Sequence, residues 1–292
     1  MNCKTLVMKK RLFVVLSVLA CIVVVGCKSK NNPGMTIDST QINSNGIDAI
    51  TLDDGTRIIS IADVENSKDV ELFKGSYDDS LLAELAVNGQ FKSAINTFFI
   101  IKGDNIVLVD AGLGNDKGGQ LLSKMAFLGI RPENVTAVLL THLHTDHIGG
   151  LLNGGQPTFP NADIYLSVEE FNAWADGGAL AERNGQWKEV LGLYADKVNL
   201  FQDGDTLLDG LAVAMLATGH TPGHTVYQTG KCLFVGDLLH AQDLQLMHPD
   251  FCAKYDGDNG QAVTTRQRIL KLVRDNSLTL CGAHCYEPFV NL

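Results

Sequence analysis

The chain has 292 residues, 45% of them hydrophobic and 19% charged, with only 7 prolines. This composition excludes disorder, collagen and coiled coil as the main state, and the length suits one domain of roughly 200 to 250 residues with an extension, or two modest domains. The formal charge is −10; without Lys4, Lys9, Lys10 and Arg11, the only charged residues among the first 27, it falls to −14, with 19 Lys and Arg against 33 Asp and Glu. A body this acidic repels phosphate backbones, so the expected partner is a neutral or weakly charged small molecule and not nucleic acid.

The first 30 residues read as an address. Lys9-Lys10-Arg11 precede an apolar run from Leu12 to Val25 broken only by Ser17. That run is short of the roughly 20 residues a spanning helix needs and suits a signal-peptide core. It ends Val24-Val25-Gly26-Cys27, which resembles the bacterial lipobox. The resemblance implies a lipoprotein cleaved before Cys27 and anchored through that acylated residue, on the periplasmic or cell-surface side of the envelope; an uncleaved anchor is the alternative. The expected organisation is a signal peptide over 1–27, a flexible tether over 28–45 and one folded domain over 46–292, with a homodimer left open.

Strands are predicted over Arg57 to Ala62, Asn96 to Ile101, Ile106 to Asp110, Ala137 to Thr141, Asp163 to Ser167, Leu211 to Leu216 and Lys231 to Gly236, from short β-branched runs between turn signals. Helical spacing appears over Gln120 to Leu128, Val168 to Trp174, Ala181 to Tyr194 and Gln261 to Arg274. The class is therefore α/β, with two mixed sheets. Gly154-Gly155 and Gly177-Gly178 read as loop hinges, and Phe98, Phe99, Phe127, Trp174 and Trp187 as core. Once the leader is removed and Cys27 lipidated, Cys232, Cys252, Cys281 and Cys285 remain. If their segment ran as an extended strand, Cys281 and Cys285 would stand roughly 13 Å apart, too far for a disulfide. No obligatory disulfide framework is expected.

All eight histidines follow residue 141, and three of them crowd into Thr141-His142-Leu143-His144-Thr145-Asp146-His147-Ile148-Gly149-Gly150. Neutral imidazole and carboxylate suit Zn²⁺ and similar cations, and a loop at a strand end can fold several ligands around one point. The alternate residues His142 and His144 can converge on one ion, while Asp146 and His147 reach a second.

His142-Leu143-His144-Thr145-Asp146-His147 resembles the HxHxDH signature of the metallo-β-lactamase-fold superfamily. Four further stretches follow that family's order: Val107 to Gly112 with Asp110 at a strand end and Ala111 as a departure, Gly219-His220-Thr221-Pro222-Gly223-His224, Leu233 to Asp237, and Gly282-Ala283-His284. The resemblance implies an αββα sandwich, two mixed β-sheets flanked by helices, with the metals at one edge. It implies one ion on His142, His144 and His220, a second on Asp146, His147 and His284, and Asp237 shared between them. Asp110 and His224 are implied as supports of these ligands. The cofactor implied is two Zn²⁺ per chain, with iron, manganese or cobalt as alternatives.

Water on such ions has a pKa near 7, so the implied chemistry is hydrolysis by a metal-bridging hydroxide, with Asp146 or a nearby group passing a proton. Asp237 argues against β-lactamase activity, and His144 against flavodiiron chemistry. The stretch from Gly236 to His240, with Tyr255 to Arg266, looks most like the methyl-parathion-hydrolase-like branch, close to quorum-quenching lactonases. His240 stands where a Tyr often stands in lactonases, and is either a catalytic neighbour of Asp146 and Asp237 or a packed histidine. His248 reads as structural. Cys285-Tyr286-Glu287-Pro288-Phe289 departs from the family's turn after the last ligand. The expected function is a dinuclear zinc hydrolase of lactones or esters, extending to phosphotriesters. The alternatives are a glyoxalase-II-like thioesterase, a non-catalytic metal-binding lipoprotein and, more weakly, a mononuclear iron persulfide oxidiser.

Overall fold

The computed structural model describes residues 45–74, 79–181 and 185–292. The expected leader, Cys27 and tether positions 28–44 lie outside the described residues. The chain alternates strands and helices in the order β1 (Ile47–Thr51), β2 (Arg57–Asp69), α1 (Asp79–Leu85), β3 (Gln90–Lys102), β4 (Asn105–Val109), α2 (Leu121–Phe127), β5 (Ala137–Leu139), α3 (Thr145–Ile148), β6 (Leu152–Asn153), β7 (Gln156–Pro157), β8 (Asp163–Ser167), α4 (Val168–Trp174), α5 (Gln186–Leu193), β9 (Val198–Phe201), β10 (Thr206–Leu207), β11 (Ala212–Leu216), β12 (Thr225–Thr229), β13 (Cys232–Phe234), α6 (Gln242–Met247), α7 (Asn259–Asn276), β14 (Thr279–Cys281) and β15 (Phe289–Asn291). A seven-stranded sheet has the order β1-β2-β3-β4-β5-β8-β9, and a six-stranded sheet runs β10 to β15 in sequence. Both are mixed: β4, β5, β8 and β9 pair in parallel, as do β13 and β14, and the other pairs are antiparallel.

Period-two alternation of the strands separates three apolar layers. Ile58, Phe98, Val107 and Leu139 face Ala214, Tyr227 and Phe234 of the other sheet. Their chain neighbours Ile59, Phe99, Leu108 and Val138 face outward onto Met125, Trp174 and Val190 of the helices. On the far side, Val226, Leu233 and Leu280 meet Ile269, Leu270 and Val273 of α7. β3 is buried from Ala94 to Ile100 because both its faces are covered, which is why that stretch of sequence does not alternate. The arrangement is the αββα sandwich of the sequence reading. The Gly154-Gly155 pair is the two-residue turn of the β6–β7 hairpin, both residues at positive φ.

Besides elements that the sequence did not signal, among them β1, β9, β12, β14, β15, α1 and α6, three details differ from expectation. Phe127 ends α2 with its ring 45% exposed, because α2 turns Leu121 and Met125 to the core instead. The segment after Cys281 does not run on as a strand: Gly282 to Cys285 is a turn closed by the Cys285 amide on the Gly282 carbonyl. Helix α5 starts at Gln186, after three residues outside the description. Cys232, Cys252, Cys281 and Cys285 are buried, and no disulfide joins them. Among the described residues, no helix is long and apolar enough to cross a membrane.

Candidate metal centre

The site lies where strands of both sheets end on one edge. His142 to His147 follow β5 of the seven-stranded sheet, whereas His220, Asp237 and His284 follow β11, β13 and β14 of the other. The ligand loop is held first by Asp110, at the end of β4. Its carboxylate accepts from the Thr141 amide (2.8 Å), the Thr141 hydroxyl (2.8 Å) and His147 Nδ1 (2.7 Å). Asp110 sits at φ +55°, a conformation costly for a residue with a side chain, and the three contacts hold it there. The loop then passes so close to β4's exit that a Cβ on Gly149 or Gly150 would stand 2.0 Å from the Leu113 or Ala111 carbonyl oxygen. Only glycine fits at both.

His220, His284 and Asp237 arrive by equally specific routes. His220 donates from Nδ1 to Asp256 (3.1 Å), which also meets Arg266 at 3.2 Å. His284 is aimed by Nδ1 on the Ala94 carbonyl (2.7 Å), and its loop is stitched to β3 by Asn96, whose amide group donates to the Gly282 and Cys285 carbonyls. His224 Nδ1 donates to the Ala217 carbonyl, and its Nε2 accepts from the Asp237 amide at 3.0 Å. It thus fixes the backbone of Asp237 and stays neutral, burial pushing its imidazolium down to about 3. Glu170, fully buried on α4, accepts from the Leu143 amide, Trp174 Nε1, the Thr221 hydroxyl and the Gly223 amide. One carboxylate therefore ties the His142–His144 stretch to the His220 loop, and burial raises its pKa.

Among the described residues, donor atoms gather in one cluster of His142, His144, His220 and Asp237 and another of Asp146, His147 and His284, with a third group of His220, His240 and Asp256 sharing His220. His144 Nδ1 lies 2.9 Å from both His142 Nε2 and His220 Nε2. Asp237 turns one oxygen to each side: Oδ2 is 3.2 Å from His220 Nε2, and Oδ1 is 2.8 Å from His147 Nε2 and 3.2 Å from His284 Nε2. Asp146 Oδ2 lies 3.5 Å from His284 Nε2, and the Asp146 side chain is 24% exposed. All seven positions singled out from sequence as ligands converge here.

Whether these residues suit cations is decided by the orphaned atoms. His147 Nε2 and Asp237 Oδ1 are buried without a hydrogen-bond partner. Leaving such atoms unpaired costs about 1 to 3 kcal/mol each, so a set aimed at one point fits cations and little else. Burial holds His142 well below its ordinary range and His144 at about 3, which keeps their lone pairs free. Burial also opposes charge on His147, but Asp237, Asp110 and Asp146 outweigh it and raise that imidazole. Burial likewise opposes charge on Asp237, yet His284, His147, His220 and His142 hold it well below the usual carboxylate range. Nitrogen-rich donors with carboxylates suit Zn²⁺.

His240 is fully buried beside Asp237, its Nε2 3.3 Å from Oδ2 without hydrogen-bond geometry and its ring stacked on His284 at 5.6 Å. Tyr255 stands against it at 5.8 Å. His248 lies at the end of α6 with its ring 6.0 Å from Phe251. Trp174 is core, as expected, and also faces His144 at 5.7 Å. The clusters open into a cleft of about 560 Å³ walled by Ile95, Leu113, Trp174 and Tyr255. Glu170, Asp256 and Asn96 were not singled out from sequence; a Ser167-x-x-Glu170 capping pattern was the one signal near any of them.

The profile described as Metallo-beta-lactamase superfamily matches residues 92–284. A hydroxyacylglutathione hydrolase of Aeromonas salmonicida (strain A449) is 28% identical over 195 residues, which is 65% of this chain and 61% of that enzyme, so less than two thirds of the relative is represented. Among solved structures, the hydrolase AbOPH in the beta-lactamase superfamily superposes with a TM-score of 0.76 at 27% identity, covering 84% of this chain and 92% of that one. AidC, a dizinc quorum-quenching lactonase in complex with a product, gives 0.71 at 23% identity, covering 85% and 97%. At that identity the likeness speaks for the fold alone.

Proposed function

The chain belongs to the metallo-beta-lactamase superfamily, and from that premise we propose that it is a dinuclear zinc hydrolase cleaving lactones or esters, with phosphotriesters as an extension. The observation that carries this reading is Asp237, whose two oxygens are divided between the two clusters, with its Oδ1 and His147 Nε2 buried without a hydrogen-bond partner. His142, His144, His220, Asp146, His147, His284 and Asp237 would hold two zinc ions, which would supply Lewis acidity and activate water near neutral pH.

The chain's own residues do the rest. Trp174, Tyr255, Ile95 and Leu113 give the substrate an apolar seat and keep water from the acyl portion. Asp146, facing the cleft, is placed to take at Oδ2 the proton that the attacking water gives up and to pass it to the departing oxygen. His240, closed off from the cleft by Tyr255, acts through Asp237 Oδ2 and is a positioning residue in this reading. Thioester hydrolysis is the second reading, favoured by the 28% identity to a hydroxyacylglutathione hydrolase.

Metal analysis together with a panel of lactones, aryl esters, thioesters and phosphotriesters tests both readings. Two zinc per chain and turnover of lactones or aryl esters are expected; thioester preference selects the second reading. Asp237→Ala should lower kcat/KM by well over the roughly hundredfold that a lost supporting contact costs. A protein without metal, or one as active after Asp237→Ala as before, would falsify the proposal.

A further inference from the structure

The body of the protein is acidic, but the rim of its cleft is not. The lysines lining the cleft are Lys68 and Lys254, and the carboxylates lining it are Asp146 and Asp237, both committed to metal in the reading above. The two lysines come from distant parts of the chain. Lys68 lies near the end of β2, across from Phe91 of β3, and its ammonium stands 5.7 Å over the Tyr255 ring. Lys254 is brought to the same rim by its amide, which donates to the Leu72 carbonyl at 2.9 Å. A small apolar core that includes Phe73, Phe91, Phe251 and Ala253 holds the backbone next to both, through Phe91 across from Lys68 and Ala253 before Lys254. With its carboxylates committed, the cleft is a positive spot on a negative surface, and low-dielectric walls strengthen such a field.

We propose that the substrate carries a carboxylate remote from the scissile carbonyl, received by Lys68 and Lys254, with its apolar stem lying between Trp174 and Tyr255. This narrows the expectation, drawn from net charge, of a neutral or weakly charged substrate: the local charge favours a small anion. The position of the reacting bond rests on the hydrolase reading; the charge preference rests on the two rim lysines with metal on Asp146 and Asp237.

The test uses the metal-replete full chain and two matched pairs of probes. Adipic acid monoanilide and hexananilide, amides that mimic the ester without being cleaved, are compared by calorimetry. The mono-4-nitrophenyl ester of adipic acid and 4-nitrophenyl hexanoate are compared by kinetics. The acid should bind about tenfold more tightly than its neutral partner, the scale of two partly screened charge contacts, and weaken as salt is raised. The ester pair should show the same ratio in KM with kcat alike. In Lys68→Gln/Lys254→Gln the preference should fall to near one, and in Lys68→Glu/Lys254→Glu it should invert. Equal binding of acid and neutral anilide overturns the inference, as does a preference that survives the double substitution, since the carboxylate would then be sitting on the metals. Hexyl phosphate binding more than tenfold tighter than the monoanilide overturns the assignment to carboxylate. If the monoanilide binds as expected while neither ester is cleaved, the rim stands and the hydrolase reading falls.

Discussion

The two halves of the metal centre are built from the same residue types but supported differently. In the half made by His142, His144 and His220, a buried carboxylate stands behind one ligand, and another ties the ligand loops together: Asp256 behind His220 and Glu170 between the loops. In the half made by Asp146, His147 and His284, Asp110 backs His147, but His284 leans on a neutral carbonyl, and Asp146 faces the cleft. A carboxylate behind an imidazole makes it a stronger donor and fixes its direction. One half is thus tied both behind a ligand and between its loops, and the other is tied by a carboxylate behind His147 alone, while both halves line the cleft.

The contrast is broken most directly at Glu170. Replacing it with Gln leaves acceptor capacity for part of the four donors and sets an NH₂ against the others, which should cost about 2 to 4 kcal/mol of folding stability. The same change should weaken binding of the first ion 10- to 100-fold on the scale of supporting contacts. Denaturant melts and competition with a chromogenic chelator read the two effects. Unchanged metal affinity in a folded Glu170→Gln protein would show that the tie is structural only.

Asp256→Asn sharpens the contrast, because it removes charge from behind His220 and leaves the opposite half untouched. Chelator titration should show one of the two ions about tenfold weaker and the other unmoved; equal loss of both would mean the halves are not independently supported. The smallest effect concerns Tyr194, which pins the chain beyond the ligand loop by donating to the Leu151 carbonyl and accepting from the Phe159 amide. Burial raises its hydroxyl to about 12. A folded pKa above the unfolded one, near 10, means that the stabilisation is complete below pH 10 and is lost as pH climbs toward 12. Tyr194→Phe should flatten that alkaline decline in melting temperature, and an unaltered decline would remove Tyr194 as its source.

The site was more legible in the sequence than its supports were. Metal ligands come from a small set of residue types and crowd together, as in His142 to His147, so spacing exposes them. Glu170 looks in sequence like its neighbour Glu169, and only the packing of α4 against the His220 loop tells them apart. Asp256 and Asp258 are likewise two acids in a turn, one of which caps α7 while the other meets His220 and Arg266. Asn96 reads as an ordinary strand residue until the Gly282 to Cys285 turn is seen across from it. The same limit applies to the fold. Long or apolar strands such as β3 and β8 were visible, whereas β14 and β15, three residues each, exist because partners hold them. The remote supports depend on topology, which local composition does not encode.

The division of the ligands between the two sheets has a thermodynamic consequence. Ions that bind His142, His144 and His147 from one sheet together with His220, Asp237 and His284 from the other cross-link the halves of the sandwich. Ions that bind this arrangement and not the unfolded chain stabilise it in proportion to the logarithm of their free concentration, about 2.7 kcal/mol at a hundredfold excess over Kd. On the proposed dinuclear reading, the cohesion of the two sheets and the supply of metal in the surroundings would form a single coupled equilibrium, and the protein's resistance to unfolding would be a property of its medium as much as of its sequence.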